Sequence, residues 1–282
     1  MKLVRFGSPG NERPGVLLDD HTILNVRAMA FDIEDYNAHF FSTFGMQRLE
    51  GLLRESGRKC IPAQGIRLGP PVALPSKIIC LGKNYADHAK EFDSEIPASP
   101  VLFSKAPSAL NGPHDPITLP PGAATCDVEV ELALIIGKKM CRVPETEAIS
   151  HIAGFTVLND VTDRDAQREG KQWFRGKGAD SFCPLGPCLV TPDEIENPHA
   201  LQLYSKINDR VLQDSDTSRM LFRIPYLLSF ISATITLEPG DIVSTGTPGG
   251  IGSAHTPPVL LKTGDRVEIG VEHVGVQTCA VL

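Results

Sequence analysis

Short apolar runs separated by glycine and proline dominate the chain, and their usual period is two rather than 3.6. Residues 3–6 and 15–18 read as strands, the second followed by the turn Asp19-Asp20. Residues 46–56 read as a helix, with Leu49, Leu52 and Leu53 on one face and Gly57 at its end. The connector Gly69-Pro70-Pro71-Val72-Ala73-Leu74-Pro75 follows. It predicts a boundary near residue 70, with a small front α/β unit (1–70) and a main unit (71–282).

In the main unit, residues 77–82, 101–103, 127–136, 155–158, 241–245 and 266–281 have strand character. A helix is predicted over 84–92 with Asn84 as its cap. Another is predicted to start at Thr191-Pro192, and one or two more fall in 217–232, broken near Pro225. The chain is therefore strand-rich α+β. It lacks the βαβ rhythm of a Rossmann or (β/α)8 architecture.

Composition narrows the function classes. The 282 residues are 41% hydrophobic and 22% charged, ordinary for a globular protein. The net charge of −7 disfavours a nucleic-acid or anionic-membrane binder, which needs clustered Lys and Arg. A local cation cluster for a small anionic substrate remains open. The apolar runs are far shorter than the 18 or so residues that span a bilayer. The first residues lack the apolar core of a signal peptide, so a cytoplasmic location is expected. Seven scattered cysteines with no close CxxC pair read as reduced, mostly buried thiols.

The chemistry concentrates in residues 127–137. On a strand, Val128, Val130, Leu132, Leu134 and Ile136 share one face. Asp127, Glu129 and Glu131 share the other, which turns apolar at Ala133 and Ile135. Acids entering an interior need a cation, and a hard divalent ion prefers oxygen ligands. Solvated acids at an exposed strand end would give the same pattern. Asp160 ends the run 154–159 and supplies a third carboxylate, with Arg164 and Gln167 on the same face of a following helix. His88 and Glu91, three apart, suit a base oriented by a carboxylate, or equally a surface hydrogen bond. Lys105 follows a strand, and Lys177 sits between Gly176 and Gly178. Either is by itself an ordinary loop lysine. The segment 244–252 lacks the Gly-Lys-Ser/Thr ending of a nucleotide loop; it suits a turn presenting Thr247 and backbone N–H groups to a carboxylate.

Six segments in order resemble the fumarylacetoacetate hydrolase family. They are the 84–91 helix, Phe103-Ser104-Lys105, residues 129–138, residues 159–165, residues 176–187 and Ser244-Thr245-Gly246-Thr247-Pro248. The front unit is similar, more faintly, to that of bacterial members acting on 2,4-diketo-3-deoxy sugar acids and acylpyruvates. The resemblance implies a mixed β-roll with peripheral helices, usually a homodimer. It implies Glu129, Glu131 and Asp160 as ligands of Mg²⁺ or Mn²⁺. It implies His88, Glu91 and Lys177 as catalytic residues, and Lys105, Arg164, Gln167 and Thr247 as substrate contacts. Asp163 departs from the small residue common in relatives. The implied reaction is metal-dependent hydrolysis of the C–C bond of a 2,4-diketo acid, giving pyruvate and a carboxylic acid. Oxaloacetate decarboxylation is the alternative, with an isomerising enzyme third and a non-catalytic α-keto acid binder after that.

Overall fold

The computed structural model describes residues 1–91, 95–169 and 171–282. The end of the expected 84–92 helix, at Phe92, lies outside them.

The centre of the molecule is the strand Val130–Ile136, buried along its whole length. It runs antiparallel to Ile152–Asn159 on one side and to Ile242–Ser244 on the other. Its even positions Val130, Leu132, Leu134 and Ile136 pack into a core with Phe155, Leu203, Leu228 and Ile269. Its odd positions Ala133 and Ile135 pack with Leu3, Tyr36, Leu49 and Ile78. A strand with two neighbours and a core on each face is shielded from water on all sides, which explains why its sequence turns apolar throughout.

The sheet continues through Cys183–Val190 to Lys2–Phe6, Arg13–Asp19, Thr22–Asn25 and Cys60–Pro62. Lys2 and Leu3 pair with Val190 and Leu189, so the front 70 residues share one continuous sheet with the rest. The helix Gly45–Arg54 places Leu49 and Leu52 in the second core. On the other edge, Ile78–Gly82 runs parallel to Ile242–Ser244 and leads to Val101–Lys105. A separate four-stranded antiparallel sheet, Gln202–Ile207, Arg210–Asp216, Arg266–Val271 and Gly275–Ala280, covers the first core.

Two local expectations change and one holds, each for a physical reason. The strand expected over 127–136 is broken. Cys126–Asp127 pairs with Thr162–Asp163, and only from Val130 does the central strand begin, leaving Glu129 in the gap. Asn84 does not cap the helix Ala86–Glu91. Its amide accepts from Phe222 N–H and donates to the carbonyls of Phe222 and Thr245, tying three loops together. The break expected near Pro225 is present: the short helix Thr217–Arg219 ends before it, and Pro225 opens the helix Ile224–Ser232, where its missing N–H costs nothing.

Candidate active site

Glu129, Glu131 and Asp160 converge. One carboxylate oxygen from each lies within 4.8 Å of the others, and all three residues are buried. The convergence follows from pairing: Val130 stands opposite Asn159, so the residues flanking that pair, Glu129 and Asp160, meet at the same end of the sheet. Asp160 N–H donates to the Glu129 carbonyl and locks the two loops together.

Cations thread this cluster. Lys177 Nζ donates to Glu129 Oε2 at 2.8 Å and to Asp160 Oδ2 at 2.5 Å. Lys105 Nζ donates to Asp160 Oδ1 at 2.6 Å and to the Val161 carbonyl. Arg164 pairs with Glu129 Oε1 at 2.7 Å and with Asp127 Oδ2 at 2.8 Å. Glu131 differs: its Oε2 accepts from neutral donors, the Ser244 hydroxyl and Gly246 N–H.

The ionisation of the carboxyls follows from that difference. Burial alone would push Glu129 up, but Lys177 and Arg164 hold it well below the ordinary carboxylate range. Burial, then the Asp160 and Glu129 charges, push Glu131 well above that range. Lys177 is pushed down by burial, yet Asp160 and Glu129 outweigh this and raise it. Four buried carboxylates, Asp127 included, thus face three buried cations, Lys105, Arg164 and Lys177. Among the described residues, Glu131 is the one of the four without a cation hydrogen-bonded to it. Three convergent hard oxygen donors, short of one positive charge, fit a divalent cation of the Mg²⁺ or Mn²⁺ class.

The carboxylates Glu129 and Glu131 open onto a cavity of about 460 Å³, which His88, Arg164, Gln167, Lys177 and Thr247 also line. Its apolar wall is Leu81, Phe103 and Trp173. The Phe103 and Trp173 rings meet edge to face at 5.1 Å. Gly82 permits that wall: a Cβ there would come within 2.5 Å of the Trp173 ring. Lys177 Nζ lies 5.0 Å from the Phe103 ring centre, in cation–π range.

His88 Nδ1 lies 3.3 Å from Glu91 Oε2. With a carboxylate as partner, Nδ1 carries the proton and Nε2 is the basic nitrogen. The other Glu91 oxygen, Oε1, accepts from Gly250 N–H, which docks the helix on the 244–253 turn. Gly249 lets the helix approach, since a Cβ there would sit 3.2 Å from Glu91 Oε1. The same turn gives Gly252 and Ser253 N–H groups to Asp127. The carboxylates met by its backbone N–H groups are thus the protein's own Glu131, Glu91 and Asp127.

Of the residues expected to meet substrate, Arg164, Gln167 and Thr247 line the cavity, while Lys105 does not. Lys105 is 1% exposed and lies beneath Asp160. Thr247 donates its hydroxyl to the Val130 carbonyl and accepts from Gln213 Nε2. Asp163 caps the helix Arg164–Arg168, accepting from the Asp165 and Ala166 N–H groups, and so is spent locally.

Asp127 and Gln213 carry roles that the sequence did not reveal. Asp127 is fully buried and holds Arg164 in place. Gln213, from the outer sheet, accepts from Val130 N–H and donates to Thr247 Oγ1. Asp127→Ala strips Arg164 of one partner and orphans backbone donors. The expected cost is about 3–5 kcal/mol of unfolding free energy. Urea unfolding at unchanged m-value reads it; a loss below about 1 kcal/mol would show Arg164 satisfied by Glu129 alone.

Residues 77–282 match the profile of the fumarylacetoacetate (FAA) hydrolase C-terminal domain. The chain is 47% identical over 218 residues, 77% of its length and 69% of the relative's, to mitochondrial oxaloacetate tautomerase FAHD2A of Bos taurus. It is 41% identical over 285 residues to mitochondrial oxaloacetate tautomerase Fahd2a of Rattus norvegicus, covering 98% of this chain and 90% of that one. Among solved structures, maleylpyruvate hydrolase from Sphingobium sp. SYK-6 superposes with a TM-score of 0.83 at 33% identity, covering 100% and 99% of the two chains. Among the described residues no helix is long and apolar enough to cross a membrane. The chain belongs to the fumarylacetoacetate hydrolase family and is an enzyme.

Proposed function

We propose that this enzyme interconverts the keto and enol forms of a 2-oxo dicarboxylic acid of the oxaloacetate class. The observation that carries the reading is one cavity onto which Glu129 and Glu131 of the carboxylate triad open, with an oriented base, His88, in its lining.

Glu129, Glu131 and Asp160 would hold the divalent cation, Mg²⁺ or Mn²⁺. When bound, it supplies Lewis-acid stabilisation of charge developing on the 2-oxo oxygen. The chain's own groups do the rest. Lys177 and Lys105 hold the Asp160 carboxylate in place, and Arg164 holds that of Glu129. Arg164, Gln167 and Thr247 face the substrate's polar end across the cavity. His88 Nε2 takes the proton from C3; the C–H electron pair becomes the C2–C3 double bond, the carbonyl π pair moves onto the 2-oxo oxygen, and the His88 imidazolium returns the proton to that oxygen. Glu91 stabilises the imidazolium formed in that transfer. Leu81, Phe103 and Trp173 give that path an apolar side. The reverse transfer restores the keto form, so atoms balance without another reactant.

Hydrolysis of a C–C bond in a 2,4-diketo acid is the second reading. It is favoured by the likeness to maleylpyruvate hydrolase, and His88 could equally deprotonate water. It asks more of Lys177, which would stabilise the oxyanion at C4. That ammonium already gives two of its three N–H groups to Glu129 and Asp160. The tautomerase reading needs no such donor. Decarboxylation of oxaloacetate comes third.

The test is a panel assayed with and without Mg²⁺: oxaloacetate supplied as the enol, fumarylpyruvate, simple acylpyruvates and 2,4-diketo-3-deoxy sugar acids. The proposal expects loss of the enol absorbance to accelerate without pyruvate release. Pyruvate appearing from an acylpyruvate selects hydrolysis, and pyruvate from oxaloacetate selects decarboxylation. A cytoplasmic homodimer is part of the proposal; fractionation and light scattering test it.

A further inference from the structure

The cavity is layered. Its floor is acidic, its middle is the apolar wall, and its rim carries Lys83, Arg168 and Lys171, for which the chemistry above has no use. These three cations gather at one opening in a protein of net charge −7. The carboxylate that pairs with any of them among the described residues is Asp165, on Arg168 at 3.3 Å. Lys83 and Lys171 form no ion pair among those residues, and both line the cavity.

Backbone geometry singles out the same two lysines. Seven non-glycine residues among those described have positive φ, and Lys83 (φ 56) and Lys171 (φ 62) are two of them. L-residues enter that region rarely, and usually as Asn or Asp. Lys83 follows the strand Ile78–Gly82, whose last residue, Gly82, faces the Trp173 ring. Lys171 leads from the helix Arg164–Arg168 to Trp173. Both therefore stand next to the aromatic wall in sequence and line the same cavity.

We propose that Lys83, Arg168 and Lys171 form an anion-binding rim that receives the distal carboxylate of a 2-oxo dicarboxylic acid. The inference rests on the functional reading above and names the feature that selects its substrate class. The acidic floor, where Glu129, Glu131 and Asp160 would hold the cation, would receive the 2-oxo end. The apolar wall contacts the carbon chain, and the rim pairs with the second charge. A substrate with a neutral tail leaves the rim cations to water and forgoes their attraction. The rim is a specificity device and handles no proton.

Two ligands of equal chain length separate the tail charge from everything else: 2-oxoglutarate and 2-oxopentanoate. Their affinities are measured by calorimetry in Mg²⁺ for the parent protein and for the double variant Lys83→Gln/Lys171→Gln. The parent is expected to prefer 2-oxoglutarate by about ten-fold or more, and the variant to lose that preference with 2-oxopentanoate changed less than roughly two-fold. In the parent, the preference should shrink as ionic strength rises. Arg168→Gln supplies an independent second variant with the same expected direction. Equal affinities in the parent, or a preference intact in the double variant, would overturn the rim. The functional reading fails separately: a charge preference without turnover of enol oxaloacetate retires the tautomerase and keeps the rim. Turnover without the preference retires the rim alone.

Discussion

Glu131→Gln is expected to remove cation-dependent turnover by about 10³-fold or more while leaving the cation-free fold at least as stable as the parent. The two effects have opposite signs because Glu131 stands where the charge balance of the cluster fails. It is 1% exposed and accepts from Ser244 and Gly246, whereas Glu129 and Asp160 have Lys and Arg partners. An uncompensated buried carboxylate destabilises the fold, and an amide of the same shape keeps the hydrogen bonds without the charge. The cation, however, loses one of three anionic ligands. A Lewis acid contributes several kcal/mol to stabilising charge in a transition state, and each 1.4 kcal/mol or so is a factor of ten in rate. Stability gives an independent readout. At a concentration about 100 times its dissociation constant the cation adds about 2.7 kcal/mol, a rise of about 5 °C or more in the parent's midpoint. In Glu131→Gln that rise should vanish. A variant that is less stable without cation, yet still stabilised by Mg²⁺, would show that Glu131 is a structural acid.

His88→Ala separates proton transfer from cation binding. Its expected cost in kcat is about 10²–10⁴-fold, the usual contribution of a positioned acid–base group. The cation-induced rise in thermal midpoint should persist, because His88 is no member of the carboxylate triad. Glu91→Gln should fall in between: the helix still docks on Gly250, but the charge that stabilises the imidazolium is gone. Near-normal turnover in His88→Ala would assign the base to another group, and loss of the cation response would place His88 in the ligand set.

The sequence exposed those features that rest on local periodicity. The alternation from Val130 to Ile136 correctly separates the two cores, and Leu49 and Leu52 mark the buried face of the helix Gly45–Arg54. The acids 129, 131 and 160 were legible because each interrupts or ends an apolar run, which is costly without a purpose. Features that depend on distant pairing were not legible. Asp127 alternates in step with Glu129 and Glu131, yet a break in the strand sends it to Arg164 and to the Gly252 and Ser253 N–H groups. Gln213 meets Val130 and Thr247 only because the outer sheet closes over the central strand. Lys105 is the last residue of the strand Val101–Lys105 rather than following it, and its side chain runs beneath Asp160 rather than into the cavity. Lys83 and Lys171 carry no periodicity at all, and only the folded cavity brings them to one opening.

The central claim is that three buried carboxylates share one divalent cation. Crystals grown with Mn²⁺ and measured above the manganese absorption edge test it directly. The account predicts one strong anomalous peak between the carboxylates of Glu129, Glu131 and Asp160, absent from Glu131→Gln crystals grown alongside. A difference map with no peak there, and Lys177 still bridging Glu129 and Asp160 at saturating Mn²⁺, would contradict it.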